Sequence, residues 1–387
     1  MKISDLIGWT ERKTTEEREL GEVLDYEQPN KYIVESTNYN NKFHTPVLTA
    51  GQSFVLGYSN ETNDIYSADK VSPVIIFDDF TTSNHWVDFP FKVKSSAMKI
   101  LTPRQDIAIN FRFVYYAMKC IKFSPSNHAR HWISVYSKFR IPLPSLEIQS
   151  EIVRILDTFK DLEAELEAEL AARKKQYEYY RDELLRFKNK SDVNYLRLGD
   201  VCDCVDYRGK TPKKTPNGIL LITAKNIKKG YIDYTASKEY IAPENFENVM
   251  RRGKVKVGDI LFTTEAPCGN VALADREDFA LAQRVIKYRV RSDILNNNFL
   301  KHILLSKEFG DKLSNASTGS TVKGVRGSVL HKLTIPVPPL AEQTRIASIL
   351  DKFDKLTNSL TEGIPAEIKM RQQQYEYYRN KLLTFRK

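Results

Sequence analysis

Apolar residues recur at Ile152, Leu156, Phe159, Leu162, Leu166, Leu170, Tyr177, Tyr180 and Leu184, in steps of three, four and seven. That spacing predicts one helix carrying a narrow apolar stripe. The helix should start near Glu147, just past Pro142 and Pro144, because proline is disfavoured inside a helix. No Gly or Pro interrupts residues 147–187. At about 1.5 Å per residue such a helix runs roughly 60 Å. A second stripe follows at Ile346, Leu350, Phe353, Leu356, Leu360, Ile368, Tyr375, Tyr378 and Leu382. Two long helices with matching narrow stripes are expected to pair as an antiparallel coiled coil. The alternative is that each packs on its own globular segment.

The stripes are copies of one another. Each follows an Ile-Pro-x-Pro, at Ile141–Pro144 and Ile335–Pro338, and residues 141–159 match 335–353 at ten of nineteen positions. Each closes on Gln-Tyr-Glu-Tyr-Tyr-Arg, and residues 176–187 match 374–385 at nine of twelve. The chain is therefore a tandem of one unit, a globular segment followed by a long helix. The copies differ in detail. Gly363 and Pro365 should kink or break the second helix. The first instead carries a duplicated Leu-Glu-Ala-Glu over residues 162–169, stiff helix formers that read as a ruler able to grow by whole turns. Replication slippage without consequence is the plainer reading of that duplication.

The globular segments look like distant versions of one fold. Each opens alike, Leu20-Gly21-Glu22-Val23 and Leu198-Gly199-Asp200-Val201. Strands are expected at residues 45–50, 74–77, 219–224 and 259–263, which are β-branched or aromatic and bounded by turn formers. Helices are expected near 110–122 and 298–313. The fold class is α/β (α+β): two globular domains alternate with two long helices, a pseudo-twofold internal repeat. The divisions are an N-terminal segment 1–19, a first domain 20–146, a central helix 147–190, a second domain 191–340 and a C-terminal helix 341–387.

The net charge is +10, and its location matters more than its size. Residues 147–190 hold nine Lys and Arg against eleven Asp and Glu, residues 341–387 nine against six, so +9 lies outside the helices. A basic excess in the globular parts is suited to gripping a polyanion. Two loops occupy the same place in the repeat, just before each Ile-Pro-x-Pro. The first offers Asn127, His128, Arg130 and His131, the second Ser320, Thr321, Lys323 and Arg326. Small polar residues mixed with cations contact phosphates and base edges. Arg208, Lys210, Thr211 and Lys213 form a further basic stretch, and Lys225 and Asn226 complete the candidate DNA contacts. Each reads equally well, taken singly, as a solvated loop.

Other classes find little support. Four scattered cysteines include no second pair at zinc spacing beside Cys202-x-Cys204. Gly209-Lys210-Thr211 looks like the end of a P-loop, but Cys204 stands where its first glycine is needed. No dinucleotide, metalloprotease, hydrolase or amino-methyltransferase signature occurs, so the chain reads as non-catalytic. No apolar run is long enough to span a bilayer, residues 1–19 do not read as a signal peptide, and the expectation is a cytoplasmic protein.

Variable halves opening Leu-Gly-Glu/Asp-Val, with helices that begin Ile-Pro-x-Pro and close Gln-Tyr-Glu-Tyr-Tyr-Arg, resemble the specificity subunit of type I restriction-modification enzymes. The resemblance covers the chain from Glu19 onward and includes the Tyr207–Pro212 stretch. It implies that each globular half is a target recognition domain reading one half of a split, asymmetric site in double-stranded DNA. It implies that the helices space these domains and dock two methyltransferase subunits, which recruit two restriction motor-nuclease subunits. Methylation would fall on adenine N6. No cofactor is implied for this chain; S-adenosylmethionine, ATP and Mg²⁺ belong to the partner subunits. Two rivals stay open: a stand-alone nuclease or methyltransferase, which an activity assay on the lone chain separates, and a coiled-coil scaffold without DNA, which a salt-dependent shift assay separates.

Overall fold

The computed structural model describes residues 2–49, 53–126, 129–187, 191–207, 212–318, 324–359 and 361–385. The chain forms two compact units, Met1–Glu163 with Arg371–Lys387, and Ala164–Met370. The boundaries fall inside the long helices, so each unit takes the start of one helix and the end of the other. No described helix is long and apolar enough to cross a membrane.

The first unit contains a four-stranded antiparallel sheet in the order Leu24–Glu27, Met98–Pro103, Val74–Asp78, Asn84–Val87. A smaller sheet joins Val55–Ser59, Thr45–Leu48 and Lys92–Val93, the last pairing parallel. The second unit repeats this plan with Cys202–Asp206, Val285–Val290, Ile260–Thr263 and Val271–Leu273. Its smaller sheet orders Lys214–Thr215, Tyr240–Ile241, Ile219–Ile222 and Phe279–Leu281, again with one parallel pair. The expected strands are all present, and the α+β class holds.

The repeated motifs have structural reasons. Ile-Pro-x-Pro lies on a strand: Arg140–Leu143 pairs antiparallel with Glu16–Glu19, and Thr334–Val337 with Asn194–Arg197. A two-stranded ribbon leaves an open edge on which proline's missing N–H costs little. Leu-Gly-Glu/Asp-Val forms the single helical turn that follows each ribbon, with Leu20, Val23, Leu198 and Val201 buried. Its glycine permits close approach. A Cβ on Gly199 would stand 3.1 Å from the His331 Cβ and 3.3 Å from its carbonyl oxygen.

The central helix is continuous over Leu146–Leu184, 39 residues, close to expectation. Its counterpart is broken, into Leu340–Asn358 and Ile364–Leu382. Gly363 adopts φ +79° at the break, and Pro365 sits in the first turn of the second piece, where its missing N–H is harmless. In the first unit the pairing is antiparallel. Phe159 stacks on Tyr378, Lys160 lies over Tyr375, and Gln372 hydrogen-bonds Glu163. The stripe is buried at Ile152, Leu156 and Tyr177, but Leu162 is exposed and Leu166 and Leu170 are half-buried. Leu360 lies outside the described residues.

One expectation is corrected here. The helix expected over 298–313 is two, Asn297–Leu305 and Lys307–Ala316. Ser306 divides them: its backbone is extended, and its hydroxyl accepts from Phe309 N–H as an N-cap. The N-terminal segment packs within the first unit. Ile3–Thr10 is a helix whose Leu6 is buried, whose Trp9 meets Phe385 edge-on and whose Thr10 hydroxyl donates to the Lys381 carbonyl.

Candidate nucleic-acid interface

The two candidate loops are seated on the same strand of each half. In the first unit Asp79 follows Val74–Asp78. Its carboxylate accepts from Trp132 N–H at 2.8 Å and its carbonyl from His131 N–H at 2.8 Å, and it pairs with the buried Lys99 ammonium at 3.3 Å. In the second unit Thr264 follows Ile260–Thr263, and its carbonyl accepts from Val325 N–H at 3.0 Å. Thr318 and Gly324 exchange backbone hydrogen bonds of 2.9 and 3.0 Å, closing the base of that loop. Trp132 and Val325 are buried beneath.

Arg130, Lys213, Lys225 and Arg326 are exposed, as a contact to a polyanion requires. Arg130 immediately precedes His131, where the first loop is pinned. Arg326 precedes the helical turn Gly327–Leu330 and caps it through its backbone carbonyl. Asn127, His128, Arg208, Lys210, Thr211, Ser320, Thr321 and Lys323 lie outside the described residues.

Two candidates are corrected. His131 is buried, with its ring edge-on to Phe123, so it holds the loop down rather than facing a ligand. Asn226 is fully buried and fully employed. Its carbonyl oxygen accepts from Thr223 N–H and hydroxyl, and its amide donates to the Asp233 and Ser237 carbonyls. An asparagine with every hydrogen-bonding position filled has none to offer a base.

Beneath the loops lies a frame that sequence reading missed. Gln149 donates to the Pro144 carbonyl and accepts from Asn110 N–H, each at 2.8 Å. Gln343 does the same with Pro338, at 2.7 Å, and Asn296, at 2.8 Å, and also donates to the Ile294 carbonyl. Asn110 and Asn296 in turn N-cap Phe111–Met118 and Asn297–Leu305. One glutamine thus ties each Ile-Pro-x-Pro to a helix earlier in its domain. Asp157 and Asp351 are the second tie. Asp157 accepts from the Tyr116 hydroxyl at 2.5 Å and from Arg112 at 3.0 Å. Asp351 holds His302 Nε2 at 2.8 Å, Asn298 at 2.6 Å and Lys301 at 3.1 Å. Gln and Asp are the polar identities among the ten matches between residues 141–159 and 335–353, a signal available in the sequence.

The Gln-Tyr-Glu-Tyr-Tyr-Arg ending divides its labour identically in both units. The first tyrosine is buried: Tyr375 meets Tyr116 edge-on, and the Tyr177 hydroxyl bonds His302 Nδ1 at 3.0 Å. The third stacks on the opposite helix, Tyr378 on Phe159 and Tyr180 on Phe353. The arginine covers the first tyrosine, at 5.4 Å for Arg181 and 5.5 Å for Arg379. The second tyrosine has no such role, and Tyr179 and Tyr377 are 63% and 56% exposed.

Electrostatics fit a structural frame. Burial lowers the His302 pKa against the pull of the Asp351 hydrogen bond, leaving a neutral ring that donates through Nε2 and accepts through Nδ1. Burial opposes the Asp351 charge, but His302 and Lys301 hold its pKa below the usual carboxylate range. Burial raises the Cys202 thiol, and raises Cys204 to about 11, so neither is a reactive thiolate. Among the described residues no group of His, Cys, Asp and Glu is placed to hold a metal ion.

The model of the type I restriction modification DNA specificity domain matches the chain twice, over residues 12–172 and 190–370. The chain belongs to this family. The specificity subunit of the Escherichia coli type I restriction enzyme EcoR124I/EcoR124II is 44% identical, over 95% of this chain and 94% of its own length. A putative specificity subunit of Haemophilus influenzae is 33% identical over 72% of this chain and 73% of its own. The fold agrees with the S subunit of a type I restriction-modification system from M. genitalium, with TM-score 0.59 at 14% identity over 97% of both chains. The two family matches coincide with the two halves of the repeat. The specificity subunit therefore carries two domains of one kind, each with its loop on the same strand end and each locked to the helices by the same glutamine, aspartate and tyrosine.

Proposed function

We propose that this specificity subunit reads a bipartite, asymmetric site in double-stranded DNA, one half-site per globular domain. The observation that carries the proposal is a fixed frame beneath unlike loops. Gln149 and Gln343, Asp157 and Asp351, and Tyr375 and Tyr177 repeat with the same partners or the same geometry. The loops seated at Asp79 and Thr264 carry different residues. A constant frame with variable loops is how one fold reads many targets, because base edges specify while backbone contacts position. The charge distribution, +9 outside the helices, supports phosphate contact.

The helices set the spacing and dock two methyltransferase subunits, which recruit two restriction motor-nuclease subunits. Exposed Tyr179 and Tyr377, at equivalent places in the two helices, support two like docking points, since exposed aromatics anchor interfaces. The subunit itself is non-catalytic and acts in the cytoplasm. Adenine N6 methylation, S-adenosylmethionine, ATP and Mg²⁺ belong to the partners.

Exchanging residues 20–146 for the matching segment of another specificity subunit tests this. Methylome sequencing should find one half-site replaced and the other retained. Change in both half-sites, or in neither, would overturn the modular reading.

A further inference from the structure

The two halves of the frame differ in charge at one place. In the second unit every cation beside the buried tyrosine has an acid. Lys301 pairs with Asp351 at 3.1 Å and Asp354 at 2.8 Å, and Arg181 with Asp182 at 3.4 Å. In the first unit the repeat position of Asp354 is Lys160, and that of Asp182 is Asn380. At these two positions two acids are lost and Lys160 is gained, while the repeat position of Lys301 is Tyr115 and that of Lys119 is Leu305, so the cations stand at different places in the two halves.

The result is a cleft of about 450 Å³ walled by Lys119, Lys160, Arg379, the Glu163 carboxylate and the rings of Tyr115, Tyr116 and Tyr375. Lys160 and Arg379 share the Tyr375 ring, at 4.4 and 5.5 Å from its centre. Lys160 retains Glu163 as a partner at 2.8 Å, and Arg112, deeper in the wall, retains Asp157. Lys119 and Arg379 have no ion pair among the described residues. Lys119 donates to the Asn84 carbonyl; the Arg379 Nη2 donates to Asn380 Oδ1 at 3.4 Å, and its Nε is buried with no hydrogen bond. Burial, with Arg379 and Lys160 beside it, pulls the Lys119 ammonium down to about 8. Glu376 stands at the exposed rim as the opposing charge. Like charges gathered around unfilled space, with donors unspent, call for an anion.

We propose that this cleft binds a small phosphate-bearing anion, a free di- or polyphosphate or the phosphates of a nucleotide. Two uncompensated cations match a multiply charged phosphate better than the single charge of a phosphodiester. The volume exceeds one phosphate and falls in the range of small-ligand sites, and the tyrosine wall suits an attached base. The inference is independent of how the loops read DNA, and its test does not involve methylation.

Titration calorimetry on the full-length chain, at constant ionic strength and without Mg²⁺, compares inorganic pyrophosphate with ADP. Both should bind. Tighter binding of ADP would assign the tyrosine wall to a base, and equal binding would assign the site to phosphate alone. Asn380→Asp restores the acid that the other half sets beside its arginine, so it should melt like the parent; Lys160→Asp also gives up the Glu163 ion pair, and its melt is measured alongside. Each should weaken pyrophosphate binding by about tenfold or more, the loss of one or two charge-assisted hydrogen bonds. Absence of heat with either anion at millimolar concentration would overturn the proposal, as would affinity unchanged in both variants. Displacement of bound pyrophosphate by a short duplex would show that a DNA phosphate occupies the cleft, and would also overturn it.

Discussion

Inserting one more Leu-Glu-Ala-Glu tetrad after Glu169 is expected to lengthen the non-specific gap of the DNA site by one to two base pairs. Four residues add about 6 Å to a helix and turn it about 40° beyond a full turn. A duplex rises about 3.4 Å per base pair, so the added length corresponds to roughly 1.8 base pairs for a helix acting along the DNA. The extra 40° is close to the turn of about one base pair, roughly 35° at 10 to 10.5 base pairs per helical turn. Length and twist therefore point to the same small step.

The structure makes this a clean perturbation. No residue of the duplicated stretch is buried, and Leu162 is at 37% exposure, while Ile152 and Leu156 are at 0% and Tyr177 at 5%. The insertion touches neither Phe159, stacked on Tyr378, nor Tyr177, bonded to His302. Ala, Leu and Glu add little helix-propensity cost, so the protein should melt near the parent temperature. Both half-sites should keep their sequences, because the loops at Asp79 and Thr264 are untouched. Methylome sequencing of cells carrying the longer subunit reads the gap directly. An unchanged gap with full methylation would refute the reasoning, since helix length would then not set the spacing.

Three further outcomes follow from the frame and the loops. Gln343→Ala strands Asn296 N–H and the Pro338 and Ile294 carbonyls, whereas Gln149→Ala strands Asn110 N–H and the Pro144 carbonyl. At about 1 to 3 kcal/mol for each unsatisfied buried group, denaturant unfolding should show a loss of about 3 kcal/mol or more for the former and a smaller one for the latter; equal, negligible losses would refute the tie. His302 has a folded pKa below 6.5, so the unfolded chain takes up the proton first as pH falls; stability should be full above 6.5 and decline as pH drops through the depressed value. His302→Tyr, the residue used at Tyr116, should flatten that decline in pH-dependent melting, and an unchanged slope would assign it elsewhere. Arg130→Ala and Arg326→Ala should leave melting within about 0.5 kcal/mol of the parent, as exposed substitutions do, while lowering duplex affinity and its salt slope in a binding titration; parental affinity in both would show that these cations face away from DNA.

The parts of this fold written in local chemistry were legible from sequence. The stripe from Ile152 to Leu184, the break at Gly363 and Pro365, and the central strands each depend on spacing or on a residue with one backbone habit. Ser306 was not legible as a break, because apolar residues continue on both sides and only its hydroxyl at Phe309 N–H divides the helix. The candidate site was legible to the level of the loop and not of the side chain. Asn226 and Lys225 are neighbours of similar polarity, yet one is consumed by four hydrogen bonds and the other is exposed. His131 and Arg130 part in the same way across one peptide bond. Polarity tells that a side chain needs partners; only the fold tells whether the chain already supplies them. An internal repeat narrows that gap. Polar residues identical in both copies, Gln149 with Gln343 and Asp157 with Asp351, are held by the frame. Polar residues that differ between the copies, Lys160 against Asp354 and Asn380 against Asp182, change which charges each copy satisfies. Those differences locate what a single copy binds, just as the unlike loops locate what each domain reads.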